Sequence, residues 1–243
     1  MRRLSPSPAE DLDDAALVEA YRLSPGRSLR MDFVASPDGS IAVDGRSAGL
    51  GSPGDKRVFR VLRALADVVL VGAGTAGSEG YRSVAPDSPV GLLRAAIGRP
   101  VGLPIAVVSR RASLDPSSAL VAVPATLVVT CEAADAGRRA ALAEAGATVL
   151  VCGDDDVDLP AAVSALAGRG LEQVTCEGGP QLLRAALTAG VVDELDLTIA
   201  PTLVGSAQRL LPDVLPAPVA LELRQVLEED GVLFTRYAVT GAR

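Results

Sequence analysis

Short apolar runs separated by polar, amphipathic stretches set the rhythm of this chain. Runs rich in Val, Leu, Ile and Ala predict strands at 29–36, 67–72, 104–109, 126–130, 147–152, 172–176, 193–200, 219–227 and 232–239. Between them, apolar positions at helical spacing predict helices at 54–66, 135–145, 160–168 and 180–189. Alternation of strand and helix through the first three quarters implies a mostly parallel sheet covered on both faces. The tail breaks this rhythm. "LELRQVLEEDGVLFTRYAV" reads as two strands about an Asp230-Gly231 turn, hence an antiparallel hairpin. Residues 1–28 read as a polar N-terminal arm with one short helical pattern, "DDAALVEAYR", and residues 29–243 as a single α/β domain. The Pro/Gly-rich stretches 77–104 and 201–218 read as loops.

Composition narrows the chemistry. At 243 residues and 49% hydrophobic the chain can bury a sizeable core, and at 2% aromatic that core must be aliphatic. A net charge of −7 argues against general nucleic-acid binding, so an anionic ligand needs a local cluster of cations. There are no histidines, which removes Ser-His-Asp and Cys-His hydrolases and most zinc sites. Cys131, Cys152 and Cys176 are odd in number and set in apolar runs, so they read as buried thiols of a reducing compartment rather than metal ligands or a disulfide. No apolar run approaches the roughly 18 residues of a membrane span, and no signal-peptide core opens the chain. The expected location is the cytoplasm, with no membrane partner and no metal.

Two glycine stretches suggest a nucleotide. "VLVGAGTAG" at 69–77 satisfies G-x-G-x-x-G, but a dinucleotide fingerprint should run into a helix and end its next strand in an acid. Here "SEGYRSVAPDSP" follows, a poor helix, and the next strand, "PIAVVSRR", ends in Ser109-Arg110-Arg111. The spelling is that of a Rossmann loop, while the context is not. In "QVTCEGGPQLLRAAL" a strand meets Gly178-Gly179, and Pro180 opens a helix. That arrangement points backbone N–H groups and a helix dipole at an anion. Ser109 and Arg110 could then meet a 2′-phosphate, favouring NADP over NAD, although a solvated strand-end arginine is commonplace. "GSPGDKRVFRVLRALA" begins with a capping pattern at Ser52 and Asp55. Asp55, Phe59 and Arg63 share one helical stripe. An acid, an aromatic and a base there suit a planar, hydrogen-bonding, anionic ligand, and they equally suit a surface stripe.

Together these pieces resemble a known family. "FVASPDGSIA", "GRSAGLGSPGDKRVFRVLRALADVVLVGAGTAGSEGY", "CEGGPQLL" and "VVDELDLTIAPTLVGS" resemble the pyrimidine reductases of riboflavin biosynthesis from about Leu29 onward. The resemblance implies a dihydrofolate reductase-like three-layer α/β fold, its mostly parallel mixed sheet closed by the antiparallel hairpin. It also implies an NADPH cofactor and a homodimer. In its terms Gly72, Gly74 and Thr75 belong to the cofactor loop, and Val34, Gly49 and Glu79 match cofactor-contacting positions. Ser109 and Arg110 lie where the 2′-phosphate is met, and Gly178, Gly179, Pro180, Leu182 and Leu183 match the pyrophosphate loop. Ser47, Arg63 and Glu177 match pyrimidine-contacting positions. Asp55 sits where a pterin-acting relative places a ring-contacting acid, and Asp55 and Glu177 would orient the ring for catalysis. Asp32 departs from the usual Lys or Asn of "K/N-x-x-x-S-L-D-G", and Pro37 replaces its Leu. "EGYRSV" stands for "DDPxLTxR", with Arg82 as stand-in for the substrate-phosphate arginine. No segment resembles the deaminase half of the bifunctional riboflavin enzymes.

The expected activity is NADPH-dependent reduction of a ribosylaminopyrimidine phosphate of the 5-amino-6-(5-phosphoribosylamino)uracil type, its ribosyl group becoming ribityl. Dihydrofolate or dihydropteridine reduction on the same fold is one alternative. A non-catalytic NADP-binding module is another.

Overall fold

The computed structural model describes residues 1–122 and 125–240; the final three residues of the predicted domain, 241–243, lie outside them. In chain order the strands are β1 Arg2–Ser5, β2 Ser28–Ala35, β3 Val68–Gly72, β4 Ile105–Val108, β5 Thr126–Thr130, β6 Thr148–Val151, β7 Gln173–Cys176, β8 Glu194–Ile199, β9 Leu221–Glu229 and β10 Val232–Val239. The helices are α1 Asp14–Tyr21, α2 Pro53–Leu65, α3 Ala73–Ser78, α4 Pro89–Ala96, α5 Ala136–Glu144, α6 Leu159–Ala167 and α7 Pro180–Thr188. A 3-10 turn at Ser47–Gly49 precedes α2.

One ten-stranded sheet runs β1-β9-β10-β8-β2-β7-β3-β4-β5-β6. From β8 to β6 every pairing is parallel. The β9–β10 hairpin is antiparallel, as its Asp230-Gly231 turn predicts; both turn residues have positive φ, 52° and 79°. Strand alternation divides the core by face. In β3, Val68 and Leu70 join α6 and α7 on one side, whereas Val69 and Val71 pack on the other. In β5, Leu127 and Val129 face α6 and α7, while Val128 meets Leu142 of α5. Helices α1 and α2 cover the hairpin through Leu17, Tyr21, Val58, Leu62, Leu227 and Phe234. The result is the three-layer arrangement expected.

Both ends of α2 are fixed. Ser52 caps its start by accepting from the Asp55 amide at 3.0 Å, with Pro53 in the first turn. Gly54 lets the helix descend onto the hairpin, since a Cβ there would lie 2.4 Å from Glu229 Oε2 and 2.8 Å from the Phe234 ring. At the other end Arg94 of α4, only 2% exposed, donates to the carbonyls of Arg63, Ala64 and Ala66 at 3.2, 3.2 and 2.6 Å. It also reaches Pro100 O at 2.6 Å and Gly102 O at 3.3 Å. The Arg63, Ala64 and Ala66 carbonyls close the end of α2 and would otherwise be orphaned.

Three elements depart from the sequence expectation. The segment read as an arm carries β1, which pairs with β9 at the sheet edge, besides the helix expected at "DDAALVEAYR", which is α1 and packs on α2. Helix α4 lies inside the 77–104 stretch read as loop; Ser88 caps it by accepting from Gly91 N, and Pro89 starts it. Its apolar face was masked by surrounding Pro and Gly. Helix α3 starts directly after Gly72, so the glycine-rich strand does turn into a helix, using its own small residues rather than those after Gly77.

Candidate active site

The carboxyl ends of β2, β7 and β3 open into a cleft of about 600 Å³, the edge where parallel α/β sheets present their ligands. Asp32, Phe33 and Val34 of β2 and Glu177 after β7 line it from below. Helix α2 contributes Asp55, Lys56, Phe59 and Arg63, and the opposite wall holds Thr75 and residues 78–82. Ser47 lies at the rim, where its amide and hydroxyl donate to Glu79 Oε1 at 3.3 and 3.1 Å. A position matched to substrate and one matched to cofactor are thus bonded to each other across the cleft.

Glu177 is the best-anchored acid. Arg63 Nε and Nη2 donate to its two oxygens at 2.6 Å each, and Tyr81 Oη donates to Oε2 at 2.6 Å. The Arg63 guanidinium stacks 4.3 Å from the Phe59 ring centroid and 5.3 Å from that of Tyr81. Burial and the Glu177 charge hold the Tyr81 phenol well above its ordinary range. Arg63 is therefore a neutralised, two-sided plate with an exposed edge, and Glu177 holds it flat. The stripe of Asp55, Phe59 and Arg63 does face the cleft.

Asp32 and Asp55 have weaker partners. Burial raises the Asp55 carboxyl, while Thr198 and Lys56 pull it back. Its amide serves the Ser52 cap, and its carboxylate turns over Gly51 towards the cleft. Burial also raises Asp32 well above the carboxylate range, reinforced by Glu177, Asp55 and Asp196. Among the described residues Lys56 and Arg82, both exposed and lining the cleft, have no ion-pair partner.

The two glycine loops meet beside this cleft. Gly72 N donates to Gly178 O at 2.7 Å, and a Cβ on Gly179 would lie 2.5 Å from Thr75 Oγ1. Gly178 has φ +93°, and a Cβ there would touch the Phe33 ring at 3.0 Å, so a side chain is excluded by backbone and neighbour alike. Gly74 differs, because a Cβ there meets nothing within 4 Å. Helix α7 starts at the junction with a glycine N-cap and no side-chain cap. Pro180 has no N–H and the Leu182 and Leu183 amides bond to Gly179 O, so the Gln181 amide and the positive end of the helix are what is left for an anion, and the residues present fit a phosphate-bearing ligand.

Of the sequence-derived site residues, Val34, Ser47, Asp55, Arg63, Thr75, Glu79, Arg82, Glu177, Gly179 and Pro180 line the cleft. Gly49, Gly72, Gly74, Gly178, Ser109 and Arg110 do not. Gly49 is a packing glycine, since its Cβ would strike Val43 at 2.6 Å. Ser109 and Arg110 follow β4, whose Val108 is in register with Gly72, so they continue the same sheet edge. The Ser109 hydroxyl accepts from Ser113 N at 3.0 Å, and the exposed Arg110 guanidinium donates to Asp155 O at 3.0 Å. Leu182 and Leu183 point into the core, and their amides bond to Gly179 O; they support the loop from behind.

The sequence reading missed Tyr81, Asp32 and Asp38. Tyr81 sat beside the residue chosen as phosphate ligand, and Asp32 was noted only as a departure. Asp38 explains why "FVASPDGSIA" and "APTLVGS" travel together. It accepts from Ser36, from Ser40 Oγ at 2.8 Å, and from the amides of Val204 and Gly205 at 3.3 and 2.9 Å. Those donors hold its carboxyl well below the usual range and pin the 201–210 loop against the cleft-side turn.

Residues 27–232 match the RibD C-terminal domain. The chain belongs to this family. A member from Methanothermobacter thermautotrophicus, a 2,5-diamino-6-ribosylamino-4(3H)-pyrimidinone 5′-phosphate reductase, is 30% identical over 213 residues, covering 84% of this chain and 94% of the relative. A pyrimidine reductase-like protein from Corynebacterium diphtheriae superposes with a TM-score of 0.77 at 30% identity, over 89% of this chain and 93% of that one. The riboflavin biosynthesis reductase of Saccharomyces cerevisiae shares the fold, with a TM-score of 0.65 at 16% identity over 91% and 94% of the two chains. The dihydrofolate reductase-like architecture expected from the sequence is the architecture of this family.

Proposed function

We propose that this chain is an NADPH-dependent reductase of a ribosylaminopyrimidine phosphate in riboflavin biosynthesis, working as a cytoplasmic homodimer. The observation that carries the reading is the match, over 84% of this chain and 94% of the relative, to a reductase of that substrate class, with an acid- and arginine-lined cleft beside a glycine-built anion cradle. The chain contributes the α7 N-terminus and the Gly72, Thr75 and Gly179 surfaces for the pyrophosphate, with Ser109 and Arg110 further along the sheet edge for a 2′-phosphate. When bound, the nicotinamide supplies a hydride. Phe59 and the Arg63 plate offer a flat surface for the pyrimidine, Asp55 accepts from its ring N–H groups, and Lys56 and Arg82 meet the substrate phosphate. Such a reaction depends on orientation more than on a protein nucleophile, which suits a chain without histidine.

One observation favours dihydrofolate or dihydropteridine as substrate: Asp55 presents a carboxylate from α2 into the cleft. The test is NADPH oxidation measured separately with pyrimidine phosphate, with dihydrofolate and with no substrate. Turnover of the pyrimidine phosphate supports the reading. Turnover confined to dihydrofolate replaces it with the pterin reaction, and cofactor binding without any turnover leaves a non-catalytic NADP-binding module.

A further inference from the structure

Parallel register places three acids side by side across the sheet. Asp32 of β2 is opposite Asp196 of β8, and Met31 opposite Cys176 puts Asp32 beside Glu177. Neighbouring strands lie about 4.8 Å apart, so each carboxyl feels the next, and like charges directly opposite oppose pairing. The flanking acids have cations. Asp196 lies 3.1 Å from Arg30 Nε, and Glu177 holds Arg63 in two bonds of 2.6 Å. Arg30 is also bonded to Glu194 at 2.6 Å, and Arg236 closes on Glu194 at 2.7 Å. Arg30, Arg63 and Arg236 are thereby committed. Among the described residues Asp32 has neither an ion pair nor a hydrogen bond, and it lines the cleft floor.

The groups facing Asp32 are Glu177 and Tyr81 on one side, Asp196 on the other, Asp55 with Lys56 and Arg63 from α2, and Arg30 on its own strand. An acid between two acids, with the neighbouring guanidiniums taken, lowers its free energy by holding a proton, and Asp196, itself pushed up to about 7 by burial, shares that tendency. Burial acts in the same direction.

We propose that Asp32 is a catalytic acid of this cleft, donating its Oδ proton to the substrate nitrogen whose adjacent carbon receives the hydride. The inference rests on the reductase reading above. In the ring-opened imine of the aminosugar, a hydride from the dihydronicotinamide donor forms the new C–H bond at the ribose carbon. The C=N π pair moves to nitrogen and takes the proton from Asp32, so an N–H bond forms as the O–H bond breaks. The carbon is reduced, the dihydronicotinamide is oxidised, and the Asp32 carboxylate regains its proton from water at the cleft mouth. The neighbouring carboxylates that raise the proton's affinity also restore the acid after each turnover.

The test compares wild type with Asp32→Asn, which keeps the shape but has no acidic proton to give. In wild type kcat falls as pH rises through the raised value of Asp32. In Asp32→Asn kcat drops roughly 100-fold, the contribution typical of a general acid, with KM little changed and that alkaline limb lost. Infrared spectroscopy of the ligand-free proteins supplies a readout independent of turnover. A protonated-carboxyl stretch that shifts in D₂O is present in wild type near neutral pH and is weaker by one carboxyl in Asp32→Asn, the remainder coming from Asp196, whose burial pushes it up to about 7. An Asp32→Asn enzyme with wild-type kcat and pH profile, or a turning-over wild type whose carboxyl band is unchanged by Asp32→Asn, overturns the role of Asp32. A wild type inert to the pyrimidine phosphate but showing the band overturns the functional reading, and the imine step with it.

Discussion

Replacing Arg63 by Met keeps an apolar stem and removes the guanidinium that stacks on Phe59 and that Glu177 was built around. The two N–O contacts are 2.6 Å, so the charge centres lie about 4 Å apart, and at an effective dielectric of 20 their attraction is about 4 kcal/mol. Little of this is screened, because the Arg63 and Glu177 side chains are 16% and 3% exposed. Arg63→Met leaves Glu177 with Tyr81 alone in a buried place, and removing one partner of a buried pair costs about 3–5 kcal/mol. The Arg63→Met, Glu177→Gln double variant removes both charges and is expected to lose less than the sum of the singles, with a coupling of about 2–3 kcal/mol. Urea titrations of the four proteins at neutral pH supply the cycle. Additive losses, or an Arg63→Met protein within about 1 kcal/mol of wild type but with a raised KM, would refute the anchored-plate account. Arg63 would then be a free cation reserved for the substrate.

The stability of Asp32→Asn should depend on pH with a definite sign. The folded carboxyl is raised above its unfolded value of 3.8, so the native state binds more protons and stability falls as pH rises from there through the raised value. Asp32→Asn should therefore melt higher than wild type at pH 8, with the gap closing below about pH 4; equal melting temperatures at pH 8 would contradict it. Gly74→Val should keep the melting temperature, since its Cβ meets open space, yet weaken cofactor binding in titration calorimetry. Gly178→Val should unfold more easily because φ is +93° and Phe33 is in the way. Arg110→Ala should weaken NADPH but not NADH by roughly 1–3 kcal/mol in fluorescence titrations, and equal losses would remove Arg110 from the 2′-phosphate. Asp38→Ala, by freeing the Val204 and Gly205 amides, should speed hydrogen exchange across the 201–210 loop.

What the sequence made legible was what repeats or punctuates. Short apolar runs located the nine strands of the sheet body, and the Asp230-Gly231 turn fixed the hairpin, because both are local signals. The stripe of Asp55, Phe59 and Arg63 was legible as a stripe, although only the tertiary position of α2 tells that it faces a cleft. Strand β1 was hidden because four half-exposed residues on a sheet edge carry no apolar run. Tyr81 and Asp32 were hidden for another reason. Their chemistry comes from Glu177, which lies 96 residues from Tyr81 and becomes the neighbour of Asp32 only through β2–β7 pairing. A row of acids across three strands has no signature along one.

That pairing also sets a timetable for the growing chain. β2 is among the first strands made, yet its partners β7 and β8 begin at Gln173 and Glu194, and the Arg30–Glu194 bond spans 164 residues. At synthesis rates of roughly 5–20 residues per second, β2 waits roughly ten to thirty seconds for its neighbours to emerge. During that interval Leu29, Met31 and Phe33 have no sheet to enter, and Arg30 and Asp32 have none of their final surroundings. Nascent chains halted before Glu194 should therefore remain protease-sensitive and bound by holdase chaperones, and release should follow completion of β8. The centre of the sheet, begun early with β2, cannot close until β8 has been made.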